Sequence, residues 1–307
     1  MNPASDSTRP ALAFLGPVGT FSHQAAYECF GPSVEYVPQH TIGDVFQSLS
    51  PHLPFGVVPQ ENNTNGSVVE TYNSLRDSAI GHDNFIRGYI VLTVSHCLVI
   101  RRGVKLEDIK HVLSHEQALG QCRSFLALHL PRASLVPTDS TASAAEEIAT
   151  GTGAFDPYTC AAICSSIIVT IYKNLEVLQE GIQDGEGNST RFFILTNGSD
   201  RGFPPDRIPP AQRQALIRID GLAGNQTTRK SKRVDIRRVI DTLDLDILRI
   251  DRRPALHVST FQDIYFLEVG DMGSDDENGA LPWLEKFSQA KGRLEAAGVE
   301  STLLGHW

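Results

Sequence analysis

Short apolar segments alternate with segments of helical periodicity from about residue 11 to residue 196. The first apolar segment is Ala11–Leu15, and the apolar segments at 34–37 and 55–58 are each followed by an amphipathic stretch. Strands and helices that alternate along a chain pack as layers, with helices covering the faces of a sheet. This pattern predicts an α/β architecture.

The pattern changes after a polar segment at 198–213, which is rich in Pro, Gly and charge and has almost no apolar periodicity. Such a composition is typical of a linker. The predicted elements beyond it run strand, helix, strand, strand, helix, strand, which is the ferredoxin-like βαββαβ layout. We therefore divide the chain into a flexible N-terminus (1–9), a first domain (10–197), the linker and a second domain (214–307).

Composition excludes several classes of protein. A net charge of −9 argues against a nucleic-acid binder, which needs a basic surface to displace counterions. The chain has no apolar run long enough for a signal-peptide core or a membrane span. Its five cysteines show no paired spacing, so we expect reduced thiols. These features predict a cytoplasmic protein without nucleic-acid or membrane partners.

The first polar cluster, GPVGTFS at 16–22, lies between a predicted strand and a predicted helix and contains Thr20, Phe21 and Ser22. Glycines allow the backbone to approach a ligand closely, and the N–H groups at a helix start favour an anion. A simple strand-to-helix turn explains this motif equally well when it is taken alone.

The second cluster, PQENNTNGS at 59–67, follows the buried strand at 55–58 and places Glu61 and Asn62 at its carboxyl end. Ligands of open α/β sheets bind at this end of the strands. Glu61 could be held protonated in a dry cleft and act as an acid, or could only orient Asn62 and the backbone, and we slightly favour orientation. A surface turn fits the composition of the cluster but not its position.

The third cluster is SHEQALGQC at 114–122, which places Ser114 at a strand end and Gln117 and Gln121 one helical turn apart. Neutral amides and hydroxyls donate hydrogen bonds to carboxylate and hydroxyl oxygens without adding charge. No second histidine follows His115 at metal-binding spacing, so we expect no metal here. The alternative is a capped amphipathic helix.

The fourth cluster is Thr190-Arg191-Phe192, which comes after Asn188 and before an apolar run at 193–195. It places a hydroxyl and a guanidinium at the start of a predicted buried strand. Arg191 could hold a ligand carboxylate through two hydrogen bonds, or could form a structural ion pair. Asn188 is expected to fix the turn.

In this order and at these spacings, the four clusters resemble the prephenate dehydratase family. That family usually has Pro-x-Glu-Asn-Ser in the second cluster, where this chain has Asn63 in place of the serine. The resemblance implies a two-lobed catalytic unit, similar to periplasmic ligand-binding proteins, with the active site between the lobes. It also implies a ferredoxin-like regulatory domain of the ACT type after the linker.

The resemblance implies a lyase that removes water and carbon dioxide from prephenate to give phenylpyruvate, in phenylalanine biosynthesis. Aromatisation of the ring drives this reaction, so we expect no metal, redox cofactor or covalent nucleophile. It further implies catalytic roles for Thr190, Asn62, Glu61, Ser114 and Gln121, and substrate contacts for Thr20, Phe21, Ser22, Asn188, Arg191 and Phe192. The Thr190 hydroxyl is too weak an acid to ionise, so its expected role is a positioned donor to the departing hydroxyl.

The second domain matches the family's regulatory domain less completely. Its Glu-Ser-Arg-Pro motif has a counterpart in Asp251-Arg252-Arg253-Pro254, but its Gly-Ala-Leu motif is not recognisable in the basic stretch at 221–232. Feedback inhibition by phenylalanine is therefore a hypothesis. The family forms dimers and tetramers, so we expect a homodimer or homotetramer. With no chorismate mutase helix or dehydrogenase glycine motif, we expect a single activity.

Two alternatives remain open. Arogenate, the aminated substrate, could replace prephenate, although the chain shows no plastid-type transit peptide. A two-lobed sensor of an acid or amino acid would bind a ligand and carry out no chemistry. The presence of Thr190, Asn62, Ser114 and Gln121 argues against the sensor.

Overall fold

The computed structural model describes residues 9–185, 187–199, 201–203, 213–222, 234–256, 262–271 and 282–307. Most of the predicted flexible N-terminus, of the predicted linker and of the basic stretch at 221–232 lies outside these residues.

The elements follow one another in this order: β1 (Ala11–Leu15), α1 (Phe21–Phe30), β2 (Glu35–Gln39), α2 (Ile42–Ser48), β3 (Phe55–Asn62), β4 (Gly66–Ser67), α3 (Val69–Ser74), β5 (Asn84–Thr93), β6 (Cys97–Arg101), β7 (His111–Ser114), α4 (Glu116–Gln121), α5 (Arg123–His129), β8 (Ser134–Pro137), α6 (Thr141–Thr150), β9 (Cys160–Cys164), α7 (Ile168–Ile171), β10 (Leu175–Gln179), β11 (Ser189–Asn197), β12 (Gln214–Leu222), α8 (Ile236–Leu243), β13 (Asp246–Pro254), β14 (Asp263–Gly270), α9 (Trp283–Ala296) and β15 (Val299–His306).

The chain forms two compact units, and their division falls inside β5 and β11. The first unit comprises Met1–Val68 and Tyr89–Phe193, and the second comprises Val69–Gly88 and Ile194–Trp307. Residues 69–88 therefore belong by compactness with the C-terminal part of the chain. The domain boundaries proposed from the sequence, at 197 and 214, do not coincide with this division and stay a prediction.

One lobe of the first unit is built around β1, which pairs in parallel with β2 and with β3. Its helices begin where the sequence supplies caps. The Thr41 side chain accepts from the Asp44 N–H at the start of α2, and the Asp44 carboxylate accepts from the Thr41 N–H. Apolar side chains of both helices, such as Phe30 and Val45, are fully buried.

The other lobe has a second sheet, whose strands lie in the order β10-β6-β9-β7-β8 among the described residues. One apolar cluster includes Leu119 and Leu126 from α4 and α5, and another includes Ala145 and Ile148 from α6. Both clusters also contain buried side chains of β6 and β9, as expected of a sheet between helical layers. The predicted α/β architecture is confirmed.

Two predicted elements differ in their bounds. The strand predicted at 55–58 continues to Asn62, because its last residues pair with the short strand β4, Glu61 opposite Ser67 and Asn62 opposite Gly66. The amphipathic helix considered for the third cluster is interrupted at Cys122. There the Asp184 N–H donates to the Gln121 carbonyl oxygen at 2.7 Å, taking an acceptor that a continuous helix would use itself.

In the second unit, β12 to β15 lie in the order β13-β14-β12-β15, and neighbouring strands are antiparallel. Helices α8 and α9 supply Val239, Leu243, Phe287 and Leu294 to the core. The predicted ferredoxin-like layout is confirmed.

Residues 69–88 add α3 and the start of β5 to the second unit. Tyr72 is fully buried and its ring lies edge-on to Phe266, with 5.4 Å between the ring centroids. Ile86 pairs in parallel with Gly305 of β15. The Arg218 guanidinium donates to the carbonyl oxygens of Leu75 and Asp77 at 3.0 and 2.9 Å.

Among the described residues, no helix is long and apolar enough to span a bilayer.

Candidate active site

Asn62, at the end of β3, is bonded to three oxygen atoms from the start of β11 and the residue before it. Its Nδ2 donates to Asn188 Oδ1 at 2.6 Å, to the Ser189 carbonyl oxygen at 3.2 Å and to Thr190 Oγ1 at 3.0 Å. Its Oδ1 accepts from the backbone N–H groups of Thr64 and Asn65, each at 3.0 Å. Because the amide is engaged at both ends, its orientation is fixed by the turn that follows β3.

Asn63 braces the same two segments. Its N–H donates to the Ser189 carbonyl oxygen, and its Oδ1 accepts from the Ser189 N–H, each at 3.0 Å. Its Nδ2 donates to the Gly187 carbonyl oxygen. The residue that departs from the family pattern thus holds the two segments in register, a role the sequence interpretation missed.

Thr190 is half-buried, and its Oγ1 accepts the hydrogen bond from Asn62. Within the described part of the chain, its own O–H has no acceptor. A hydroxyl whose lone pair is engaged and whose hydrogen is available can donate to a ligand. This is the geometry expected of a positioned donor.

Arg191 forms an ion pair with Glu61, with 3.4 Å between Nε and Oε1, and these side chains are 28% and 22% exposed. The guanidinium carbon also lies 4.5 Å from the centroid of the Tyr89 ring. The two alternatives for Arg191 are compatible, because its five N–H donors can hold an internal carboxylate and still contact another.

The GPVGTFS loop is held closely by its own bonds. Thr20 Oγ1 accepts from the His23 N–H at 3.3 Å and donates to the Leu15 carbonyl oxygen at 3.0 Å, so this side chain caps α1. The Gly19 carbonyl oxygen accepts from Ser165 Oγ of the other lobe at 2.8 Å. Gly19 itself has a positive φ of 92°.

His23 supports this loop from below. Its Nδ1 accepts from the Gly19 N–H at 3.1 Å, and its ring stacks on Phe14 with 4.8 Å between centroids. Burial lowers the pKa of His23 to about 4, so the ring is neutral at pH 7 and can accept this bond.

A second group of side chains joins the first and third clusters. Phe21 lies edge-on to His96, with 5.5 Å between ring centroids, and His96 Nε2 lies 2.7 Å from Gln121 Oε1. His96 lies outside the four sequence clusters, and a lone histidine before an apolar strand gives no functional signal by itself.

Three of the predicted site residues are buried inside the lobes. Ser114 is fully buried and its Oγ donates to the Ile163 carbonyl oxygen at 2.6 Å, which ties β7 to β9. Ser22 and Phe192 are buried as well. Their predicted contacts with substrate stay predictions.

The arrangement combines a hydroxyl donor, a guanidinium and neutral amides at strand ends. Asn62, Asn188 and Thr190 are in direct hydrogen-bond contact, and Glu61 and Arg191 flank Asn62 and Thr190 in sequence. Such groups can bind an anion and assist the departure of an oxygen without supplying a nucleophile.

Comparison with known proteins shows the family of this chain. The family model for prephenate dehydratase matches residues 12–200. The bifunctional chorismate mutase/prephenate dehydratase of Pseudomonas aeruginosa is 37% identical over 288 residues, covering 94% of this chain and 72% of that protein. The prephenate dehydratase of Lactococcus lactis is 30% identical over 299 residues, covering 96% of each. The chain spans about half the length of several further curated relatives.

Among solved structures, the crystal structure of prephenate dehydratase from Arthrobacter aurescens in complex with L-Phe superposes with a TM-score of 0.69. The match covers 97% of this chain and 90% of that chain, at 22% identity. This likeness shows the fold, a periplasmic-binding-protein-like unit together with a ferredoxin-like domain.

Proposed function

The chain belongs to the prephenate dehydratase family, and on that premise we propose that it converts prephenate to phenylpyruvate in the biosynthesis of L-phenylalanine. The observation that carries the proposal within the site is the bond from Asn62 to Thr190, which holds a hydroxyl at a strand end with its hydrogen available.

The reaction breaks two bonds, and electrons move through the ring from the carboxylate end toward the hydroxyl end. The bond from the ring to its carboxylate breaks and releases carbon dioxide, and its electron pair enters the ring. The C–O bond to the ring hydroxyl breaks, and the departing hydroxide takes up a proton from solvent to become water. Negative charge therefore develops on the leaving oxygen, where a fixed donor lowers the barrier most.

Thr190 is the donor to this leaving oxygen. Asn62 engages the Thr190 lone pair, which directs the O–H away from the amide and toward the ligand. Removal of one such donor typically lowers kcat about 100- to 1,000-fold. Because Thr190 itself does not ionise, the rate is not expected to depend on the titration of its hydroxyl.

Arg191 holds a substrate carboxylate, while Glu61 and Tyr89 fix its guanidinium plane. The ion pair supports an orienting role for Glu61 rather than a role as an acid. Gln121 donates to a further oxygen of the substrate.

The test is phenylpyruvate formation from purified protein and prephenate, with Thr190→Ala and Thr190→Ser measured beside the wild type and arogenate as a second substrate. Turnover that collapses in Thr190→Ala and is largely kept in Thr190→Ser supports the assignment. A strong preference for arogenate would identify the aminated substrate instead. Tight binding without turnover of either substrate would leave the sensor.

We further infer that phenylalanine binds the second unit and inhibits the enzyme. The relative from Arthrobacter aurescens was crystallised with L-Phe, and Asp251, Arg252, Arg253 and Pro254 lie on β13, a terminal strand of the sheet order. Saturating phenylalanine is expected to lower activity and raise the melting temperature. Unchanged activity and melting temperature would mean that this ligand has been lost.

Three finer proposals concern localisation, oligomeric state and the number of activities. The five cysteines, all within the described residues, are free thiols, which suits the reducing cytoplasm. A homodimer or homotetramer follows from the family resemblance and is tested by sedimentation equilibrium. The single activity expected from the sequence is tested by an assay with chorismate.

A further inference from the structure

His96 is a buried histidine with half of its hydrogen-bonding capacity unused. It is 3% exposed, and its Nδ1 has no hydrogen-bond partner among the described residues. Leaving a buried polar atom unpaired is unfavourable, and such atoms are rare in folded proteins. An apolar side chain at this position would avoid the unpaired nitrogen. The reason for a histidine is therefore expected to lie in its other ring nitrogen, Nε2.

The tautomer of His96 follows from its partner. Nε2 lies 2.7 Å from Gln121 Oε1, and a carbonyl oxygen can only accept, so Nε2 carries the hydrogen. Burial lowers the pKa of His96, and the bond to Gln121 only partly offsets this effect, so the ring is neutral. The Nδ1 lone pair is then the unpaired group.

This bond decides which way the Gln121 amide faces. With Oε1 held by His96, the Gln121 amide nitrogen points away from the ring, and within the described chain it has no acceptor. Gln121 is partly exposed, so its two N–H donors are available to a ligand.

The loop before Thr190 is hydrogen-bonded to the backbones of both His96 and Gln121. The His96 N–H donates to Gln183 Oε1 at 2.9 Å, and the Ile182 N–H donates to the His96 carbonyl oxygen at 3.0 Å. Two residues on, the Asp184 N–H binds the Gln121 carbonyl oxygen. Asn188 and Thr190 follow this loop a few residues later in the sequence.

We propose that His96 is a positioning residue of the dehydratase, whose Nε2–H holds Gln121 Oε1 and so presents the Gln121 N–H groups to an oxygen of the substrate. The inference rests on the proposed function. It adds a residue outside the four sequence clusters, and it gives a reason for an imidazole at a position where its second nitrogen is unsatisfied.

Two substitutions separate the ring nitrogens. In His96→Gln the amide nitrogen reaches about as far as Nε2 and can still donate to Gln121. In His96→Asn the amide stops near the position of Nδ1 and cannot reach Gln121. We expect kcat/KM for prephenate to fall roughly 10- to 100-fold in His96→Asn and less than about threefold in His96→Gln. Equal losses in the two variants, or none in His96→Asn, would overturn the proposal.

Gln121→Ala serves as the reference variant. If His96 acts through Gln121, the double variant His96→Asn/Gln121→Ala is no slower than Gln121→Ala alone, because contacting residues that act as a unit are not additive. Multiplied losses would mean that His96 acts independently of Gln121. Thermal melting of each variant shows whether a lower rate comes from unfolding.

Two measurements keep the inference separate from the proposed function. Nitrogen-15 NMR of the wild-type histidines should show the His96 ring as the neutral Nε2–H tautomer, and the Nδ1–H tautomer would overturn the inference whatever the reaction. Calorimetry with prephenate should show weaker binding by His96→Asn than by His96→Gln, even without turnover. If the wild type neither binds nor converts prephenate, both the proposed function and this inference fail.

Discussion

At the scale of single residues, Asn62 joins two segments that lie far apart in the sequence, since its amide reaches Asn188 and Thr190 across 126 and 128 positions. Its donors all point at oxygen atoms, and its acceptor is occupied by the following turn. The chemistry of the site therefore depends on which end of this amide carries nitrogen.

Asn62→Asp tests that dependence with an isosteric change. It replaces the shared donor by an acceptor, which draws the Thr190 O–H away from the ligand and is repelled by Asn188 Oδ1 and the Ser189 carbonyl oxygen. We expect kcat to fall at least about 100-fold and the free energy of unfolding to fall by about 2–4 kcal/mol. Asn65→Asp, at an exposed position in the same turn, is the control and should change neither quantity. Full activity in Asn62→Asp would remove Asn62 from the mechanism.

His23 predicts a pH dependence of stability. Its pKa is about 4 in the folded chain and 6.5 in the unfolded chain, so between these values the unfolded chain binds more protons. Its contribution is complete above pH 6.5 and is lost as the pH falls toward 4, amounting to about 3 kcal/mol at most.

Urea unfolding of the wild type and of His23→Asn, measured from pH 4.5 to 7.5, checks this dependence. The Asn oxygen can still accept from the Gly19 N–H but does not titrate. The difference in unfolding free energy between the two proteins should shrink with acidification below pH 6.5. A difference independent of pH would contradict the low pKa.

The residues of the site differ in how well sequence could identify them. Asn62 and Thr190 stand at the ends of predicted buried strands, and the resemblance of the four clusters to the family implied their roles. The roles of Asn63 and His96 depend on contacts with Ile182, Gln183 and Gly187, which lie far from them in the chain. No local pattern carries that information.

At the scale of elements, the strand-to-helix loop at 16–22 requires a glycine for two separate reasons. Gly19 has a positive φ, and a Cβ there would lie 2.2 Å from Cδ1 of Ile168, which is fully buried. Gly103 has a similar φ of 86° but open space around it.

Gly19→Ala and Gly103→Ala separate backbone strain from crowding. Both should lose about 1 kcal/mol of stability from the left-handed backbone. Only Gly19→Ala should lose a further 1–3 kcal/mol or so, and displace the loop. Denaturant unfolding gives both values, and equal losses would mean that Ile168 moves aside freely.

Helix and strand types followed from periodicity, but several of their ends did not. The break between α4 and α5 has no glycine or proline to announce it, because the competing hydrogen bond comes from Asp184, more than sixty residues later. The extension of β3 past Pro59 likewise depends on pairing with β4.

At the scale of the whole molecule, the α/β alternation and the βαββαβ order were both readable from the chain, because each follows from local patterns. The sequence did not reveal that residues 69–88 belong to the second unit. These residues join the second unit through tertiary contacts, among them those of Arg218, whose side chain is only 7% exposed.

Arg218→Ala should destabilise the second unit strongly. The guanidinium binds Asp220 at 2.8 Å as well as the carbonyl oxygens of Leu75 and Asp77, and truncation leaves these acceptors without their donor. We expect a loss of about 3 kcal/mol, measured by thermal or urea unfolding. Arg237→Ala is the control, since that side chain is 91% exposed and its ion pair with Asp241 should add little. Equal stability of the two variants would show that the Arg218 bonds do not hold α3.

Because residues 69–88 belong to the second unit, the chain cannot be divided into fragments at a single point. The stretch that the family model matches, 12–200, includes Tyr72, Leu75 and Ile86, which are fully buried in a unit completed by residues 214–307. A fragment ending at 200 would expose these side chains to water and is expected to aggregate on expression. The stretch at 12–200 therefore cannot be exchanged as one piece between relatives. A chimera needs its junctions at 68, 88 and 193 rather than at one point between the two predicted domains.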